Sequence, residues 1–326
     1  MSTFFSTIPG ALILLLAGFV FLIKGADFFV EGASAVAKKL HVPALVIGMT
    51  IVAMGTSLPE LSVSVTASLA GSNQLAIGNV VGSNIFNLMV VLGSCALFSA
   101  LDVADDTIKK DFPFSVGCVI ALVAMGLIGH SVGHIDGIIL LVAFVYFMYS
   151  MLQAAKKSRK EAAENDEEAE IVDIPVWRCI VYIIGGAVAI KFGGDWVVSS
   201  CSTLALKFGM SETLVGLTIV ALGTSLPELV TSVVAAKKNE LDMAIGNVVG
   251  SNVFNVLLIL GTAAAISPMN YLTVNAIDAS ILIAFSAIVW IICAKKKKLT
   301  RPHGILMLAL YVAYLIYIII RDGGVA

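Results

Sequence analysis

Two ten-residue stretches set oxygen chemistry inside apolar sequence. Residues 51–60 read IVAMGTSLPE and residues 219–228 read IVALGTSLPE. Each carries a carboxylate (Glu60, Glu228), two hydroxyl residues (Thr56 and Ser57, Thr224 and Ser225) and a proline, at a constant offset of 168 positions. A charged side chain at a bilayer centre costs on the order of 2.5–3.5 kcal/mol on insertion scales, and normally faces a bundle interior or a pathway. Pro59 and Pro227 lack an amide proton and clash with the carbonyl four residues back, which predicts freed carbonyls at Gly55 and Gly223. Broken helix at membrane depth survives where it is buried in protein or lines a wet cavity. Carboxylate, hydroxyl and carbonyl oxygens together form a hard ligand set, which suits Ca2+ and Na+ and would not select Zn2+ or copper.

A second pair of segments accompanies the first. AIGNVVGSNIFN (76–87) and AIGNVVGSNVFN (244–255) agree at eleven of twelve positions. Asn79, Ser83 and Asn87 are spaced by four and share one helix face, as do Asn247, Ser251 and Asn255. The same segments hold the GxxxG pairs Gly78/Gly82 and Gly246/Gly250, which permit close helix packing. The two readings are compatible, because close packing would bring the Ser and Asn side chains of one helix to the broken turn of the next.

Such residues need a scaffold, and composition says which. Of 326 residues 59% are hydrophobic and 13% charged. Soluble domains average about 45–50% apolar and 25% charged, so the solvent for this surface is a lipid bilayer. Apolar runs of about 20 residues span a bilayer, and ten are expected, near 8–38, 42–70, 74–99, 112–129, 133–153, 176–207, 211–237, 241–267, 273–294 and 303–320. With the N-terminus outside, Lys38, Lys39, Lys109, Lys110, Lys156, Lys157, Arg159, Lys160, Arg178, Lys237, Lys238, Lys295 to Lys298 and Arg301 all fall on the cytoplasmic side. Only Lys207 and Arg321 remain outside, a positive-inside bias that favours ten spans with both termini extracytoplasmic. The first span has no basic n-region or clear cleavage site and is expected to be retained. Cys95, Cys118, Cys179, Cys201 and Cys293 form no CxxC pair and read as small buried apolar residues.

The chain is written twice. GADFFVEGASAVAKKL (25–40) matches GGDWVVSSCSTLALKF (193–208), and the offset holds from residue 25 to residue 93. Five spans per copy is an odd number, so the second copy enters the membrane from the opposite side. Inverted repeats of this kind typify secondary transporters, with substrate sites near the midplane where the repeats meet. The expected fold is therefore an all-α polytopic membrane protein of ten transmembrane helices in two inverted-topology five-helix repeats, with helices 2 and 7 broken. Residues 1–153 form the first repeat, 154–175 a short solvated cytoplasmic linker, and 176–326 the second repeat. The acidic run Glu161 to Glu170 leaves a calcium-sensing role open. Asp27 and Asp195 occupy matching places in the first and sixth helices and are left outside the site.

The paired GTSLPE and GNxxGSNxxN segments resemble the two alpha-repeats of the cation/calcium antiporter superfamily, most closely its short prokaryotic sodium/calcium exchangers. The resemblance covers nearly the whole chain. It implies exchange of Na+ for Ca2+ across the cell membrane, with Glu60 and Glu228 coordinating the cations. It also implies roles for Thr56, Ser57, Thr224, Ser225, Ser83, Asn87, Ser251 and Asn255, and for the backbone carbonyls of Ala53 and Ala221. The helices at 8–38 and 176–207 resemble the long tilted pair thought to slide across the core. One departure stands out: some archaeal exchangers carry Asp where this chain has Asn255, which puts the number of sodium sites in doubt. The large cytosolic regulatory domains of animal exchangers have no counterpart here.

Two ionised glutamates carry a charge of −2, balanced by one Ca2+, two Na+ or two protons, so these ions exclude one another. Acid pH should inhibit transport. The nearest alternative is a proton/calcium antiporter of the same superfamily. A potassium-dependent variant lacks a third acid. A membrane enzyme is disfavoured because His41, His130, His134 and His303 fall at span ends and no serine has an evident base beside it. A passive cation channel is disfavoured because pores usually build rings from several subunits. No prosthetic group, nucleic acid or obligate protein partner is implied.

Overall fold

The computed structural model describes residues 7–71, 73–165, 174–210, 219 and 221–323. The order is α1 (Ile8–Leu40), α2 (Ala44–Thr56), α3 (Leu58–Leu69), α4 (Leu75–Phe98), α5 (Thr107–Gly129), α6 (His134–Glu164), α7 (Val176–Lys207), α8 (Ala221–Gly223), α9 (Leu226–Lys237), α10 (Leu241–Ile266), α11 (Thr273–Lys296) and α12 (Arg301–Gly323). Eight of these are long and apolar enough to cross a membrane, and the bent pair α2–α3 makes a ninth span among the described residues. The chain is thus a nearly all-helical polytopic membrane protein. Of the expected span 211–237, residues 211–218 and 220 lie outside the described residues, and the remainder forms α8 and α9.

α1 starts where Thr7 caps it, accepting from the Gly10 amide at 3.2 Å with Pro9 in the first turn, and stops at His41 in the left-handed region. It packs antiparallel against α7 through residues repeating every seven. A Cβ added to Gly18 would lie 2.9 Å from the Gly193 carbonyl, one on Gly25 2.9 Å from the Ile190 amide, and one on Gly32 2.9 Å from the Cys179 carbonyl. Only glycine permits backbones this close. The outward faces of the pair carry Leu16, Phe19, Ile23, Ile184 and Val188, all exposed to what must be lipid. Inside lie α4 and α10: 78% of the apolar window of each is buried, against 33% and 22% for α1 and α7.

Two short antiparallel ribbons join the halves at opposite ends. β1 (Leu101–Asp102) follows α4 and pairs with β4 (Lys298–Leu299) before α12, while β2 (Ser131–Val132) before α6 pairs with β3 (Met269–Asn270) after α10. The β1–β4 end also holds Lys109, Lys110, Lys295, Lys296 and Arg301.

Two local details add to the expectations. The polar stretch from residue 154 is not loop throughout: α6 continues to Glu164, with Lys157–Glu161 at 3.6 Å and Lys160–Glu164 at 3.5 Å on its surface. Ser158 Oγ, on this extension, donates to the His41 carbonyl at 2.9 Å. Residues 166–173, with most of the acidic run, lie outside the described residues. The helix break falls within the turn between Gly55 and Pro59. α2 ends at Thr56, the chain bends by 50° at Ser57, and Pro59 sits in the first turn of α3, where its missing amide proton costs nothing. Gly55 and Gly223 serve close approach: a Cβ added there would lie 2.6 Å from Phe29 Cζ and 2.1 Å from Val198 Cγ2.

Candidate cation site

The two breaks place Glu60 in the first turn of α3 and Glu228 in the first turn of α9. A helix N-terminus favours negative charge, and both carboxylates lie there at 0% exposure. Neither forms an ion pair with a basic side chain among the described residues. Two buried acids without a cationic partner are costly, so the pair demands neutralisation by bound cations or protons.

The repeats exchange hydrogen bonds at this point. Ser57 Oγ, from the first bend, donates to Glu228 Oε1 at 2.9 Å, and Ser225 Oγ, from the second, donates to Glu60 Oε1 at 2.9 Å. The second oxygen of each carboxylate has no hydrogen-bond partner. The same holds for Ser83 Oγ, Ser251 Oγ, Thr224 Oγ1 and both amide atoms of Asn87, all buried. Thr56 Oγ1 lies 3.2 Å from the Val52 carbonyl and 3.3 Å from the Ala53 carbonyl. The Ala53 carbonyl also accepts from the Ser57 amide at 3.0 Å. Ala221 opens the short helix α8.

Asn87 and Asn255 each open a π-helical segment, Asn87–Val91 in α4 and Asn255–Leu260 in α10. Such wide turns inside α-helices recur at functional sites, since they rotate the side chains that follow out of register. The two asparagines are not used alike. Asn255 Nδ2 donates to Asn84 Oδ1 at 2.9 Å and keeps only its Oδ1 unpartnered.

Residues outside the expected set complete the interior. Asn84 Nδ2 donates to the Asn252 carbonyl at 3.1 Å and Asn252 Nδ2 returns a bond to the Asn84 carbonyl at 3.3 Å, tying α4 to α10. Asn79 Nδ2 donates to Ser64 Oγ at 3.0 Å, and Asn247 Nδ2 to Ser232 Oγ at 2.8 Å. The signal for these was present in the sequence: all recur at the offset of 168, and Ser64 and Ser232 follow the glutamates by one helical turn. Asp27 and Asp195 stay outside, paired with Lys238 and Lys191, each at 2.7 Å.

The site therefore offers two carboxylates with hydroxyl and amide oxygens. No group of three His, Cys, Asp or Glu side chains able to hold a metal occurs among the described residues. Neutral oxygens around two acids match hard cations and give softer metals nothing to prefer.

A model of the sodium/calcium exchanger protein family matches residues 10–153 and 179–320. The chain belongs to the sodium/calcium exchanger family. It is 36% identical to the putative antiporter CaxA of Alkalimonas amylolytica, over 93% of this chain and 97% of that protein. It is 31% identical to the sodium/calcium exchanger MaX1 of Methanosarcina acetivorans, over 93% and 97%. Among solved structures, the sodium-calcium exchanger NCX_Mj soaked with 100 mM Na+ and 10 mM Sr2+ superposes with a TM-score of 0.83 at 31% identity, covering 95% of this chain and 99% of that one. Membership makes the chain a cation/calcium antiporter, and exchangers are transporters, not an enzyme class.

Proposed function

We propose that this antiporter exchanges Na+ for Ca2+ by alternating access at a midplane site built around Glu60 and Glu228. The observation that carries the reading is the crossed pair of serine–glutamate bonds, which couples two half-sites into one and leaves a free carboxylate oxygen on each side. Thr56, Thr224, Ser83, Ser251, Asn87, Asn255 and the carbonyls of Ala53 and Ala221 complete the oxygen shell. One Ca2+ or two Na+ neutralise the two carboxylates, and a third Na+ on neutral oxygens would leave the loaded carrier positive. Ca2+ and the sodium set therefore exclude one another. Moving the empty, doubly charged site through a low-dielectric interior is costly, which suppresses leak. Protons compete for the same carboxylates, so acid inhibits.

Residues 1–153 and 176–326 act as inverted repeats, with 154–175 joining them on the cytoplasmic side. The β1–β4 end, rich in lysine, faces the cytoplasm of a plasma membrane, and both termini lie outside. The sodium/calcium exchanger MaX1 supports the choice of sodium. CaxA, named only as an antiporter, keeps proton/calcium exchange as the second reading.

The test uses purified protein in liposomes loaded with Na+ and diluted into sodium-free buffer containing radioactive Ca2+. Uptake that requires the sodium gradient is the expected result. Uptake driven by a pH gradient alone would move the assignment to proton/calcium exchange.

A further inference from the structure

Asn84 has both atoms of its side-chain amide committed. Its Nδ2 donates to the Asn252 carbonyl at 3.1 Å, and its Oδ1 accepts from Asn255 Nδ2 at 2.9 Å. Asn84 and Asn255 are both 0% exposed, so bulk water does not compete for either bond.

The direction of these bonds is forced by chemistry. A main-chain carbonyl only accepts, so the Asn84 atom facing Asn252 must be the nitrogen. The other atom of that amide is then an oxygen, which also only accepts, so Asn255 must present its own nitrogen to it. What remains of the Asn255 amide is its oxygen, buried and without a partner, on the helix face that carries Ser251 one turn earlier. The backbone of α10 thus sets, through a side chain of α4, which atom of Asn255 is left over. A buried oxygen left bare is costly and calls for a partner. The Asn252 side chain stands outside this relay: its Nδ2 donates to the Asn84 carbonyl at 3.3 Å and ties the same two helices.

We infer that Asn84 is a positioning residue for this antiporter, holding the Asn255 side-chain oxygen toward the cation without touching the ion itself. The inference rests on the cation site proposed above. A ligand oriented before the ion arrives loses little freedom on binding, which is how the residue behind a ligand raises affinity. The relay also dictates the residue type at position 255. An aspartate there would set a bare oxygen against Asn84 Oδ1, or turn the Asn84 amide over so that its oxygen meets the Asn252 carbonyl. Asn84 therefore selects a neutral amide at 255 and keeps the site at two carboxylates.

The experiment measures Ca2+ binding by isothermal titration to purified protein in sodium-free detergent. It compares wild type with Asn84→Ala, Asn255→Ala, the double variant and Asn252→Ala. Loss of one neutral hydrogen bond should weaken Ca2+ binding by Asn84→Ala about fivefold. In the Asn255→Ala background the same substitution should change nothing further, because the residue it acts through is gone. Asn252→Ala should lower the melting temperature, as Asn84→Ala does, yet bind Ca2+ as the wild type does. Wild-type affinity in Asn84→Ala, additive losses in the double variant, or equal weakening by Asn252→Ala would reduce Asn84 to a helix tie and overturn the inference. Should Asn84→Ala not fold, the nearly isosteric Asn255→Asp decides: with the relay it binds Ca2+ no more tightly than wild type despite the added acid, and tighter binding would overturn it. Titration uses no gradient, so these results stand whichever ion drives transport. Failure of the wild type to bind Ca2+ would instead remove the site reading, and the relay with it.

Discussion

The inner helices and the outer pair follow opposite rules. α3, α4, α9 and α10 bury serines, asparagines and two acids and fix them by directional bonds across the repeats. α1 and α7 meet through glycines and carry aliphatic side chains outward, and α1 is tied to Lys238 and Glu240 through Asp27, Glu31 and Ser34. Directional bonds define a geometry and resist displacement. A glycine interface holds two helices together by close packing. Under the proposed exchange mechanism, binding precision and movement would fall to different parts of one molecule.

That contrast can be broken first at its centre. Glu60→Gln or Glu228→Gln removes one of the two carboxylates of the proposed site. Either should reduce sodium-driven Ca2+ uptake by more than about 100-fold, the scale expected when a buried charge loses its role. Monodisperse elution in detergent would show that folding survives. Normal uptake by either variant would remove the paired carboxylates from the mechanism.

The outer pair should respond differently. Gly25→Val drives a side chain into the backbone of α7, where overpacking costs about 1–3 kcal/mol. The expected result is a lower melting temperature in detergent and at least a severalfold slower turnover, with Ca2+ affinity by isothermal titration unchanged. A changed affinity with normal turnover would erase the division between holding and moving.

A further comparison sharpens the symmetry of the site. Ser57→Ala and Ser225→Ala each delete one hydrogen bond to a carboxylate, worth about 1.5–3 kcal/mol when the acceptor is charged. Each should raise half-saturating Ca2+ by about tenfold, and by similar amounts, in the same uptake assay. A large effect from one serine only would mean that the glutamates are not equivalent partners.

Much of this was legible in the chain. Composition required a bilayer, the offset of 168 revealed two copies, and GTSLPE named the acids and the hydroxyls that touch them. At the bend, proline predicted a break and the chain turns at Ser57, between Gly55 and Pro59; what the sequence did not show is that Phe29 and Val198 press against the glycines. Nor did composition show that the linker stretch begins as helix, where i,i+4 charge pairs on the surface carry α6 to Glu164.

The sequence by itself determined that there would be apolar spans, a duplication and two acids, because hydropathy, periodicity and residue type are local properties. Only the tertiary structure decided which partner each residue found. Ser57 holds the glutamate of the other copy, Asn84 and Asn252 clasp each other, and Asn255 is bonded to Asn84 while both amide atoms of Asn87 stay unpartnered. The physical reason is that two nearly identical motifs carry the same local preferences. What separates them is the packing of one repeat against the other, and no stretch of either copy encodes that contact alone.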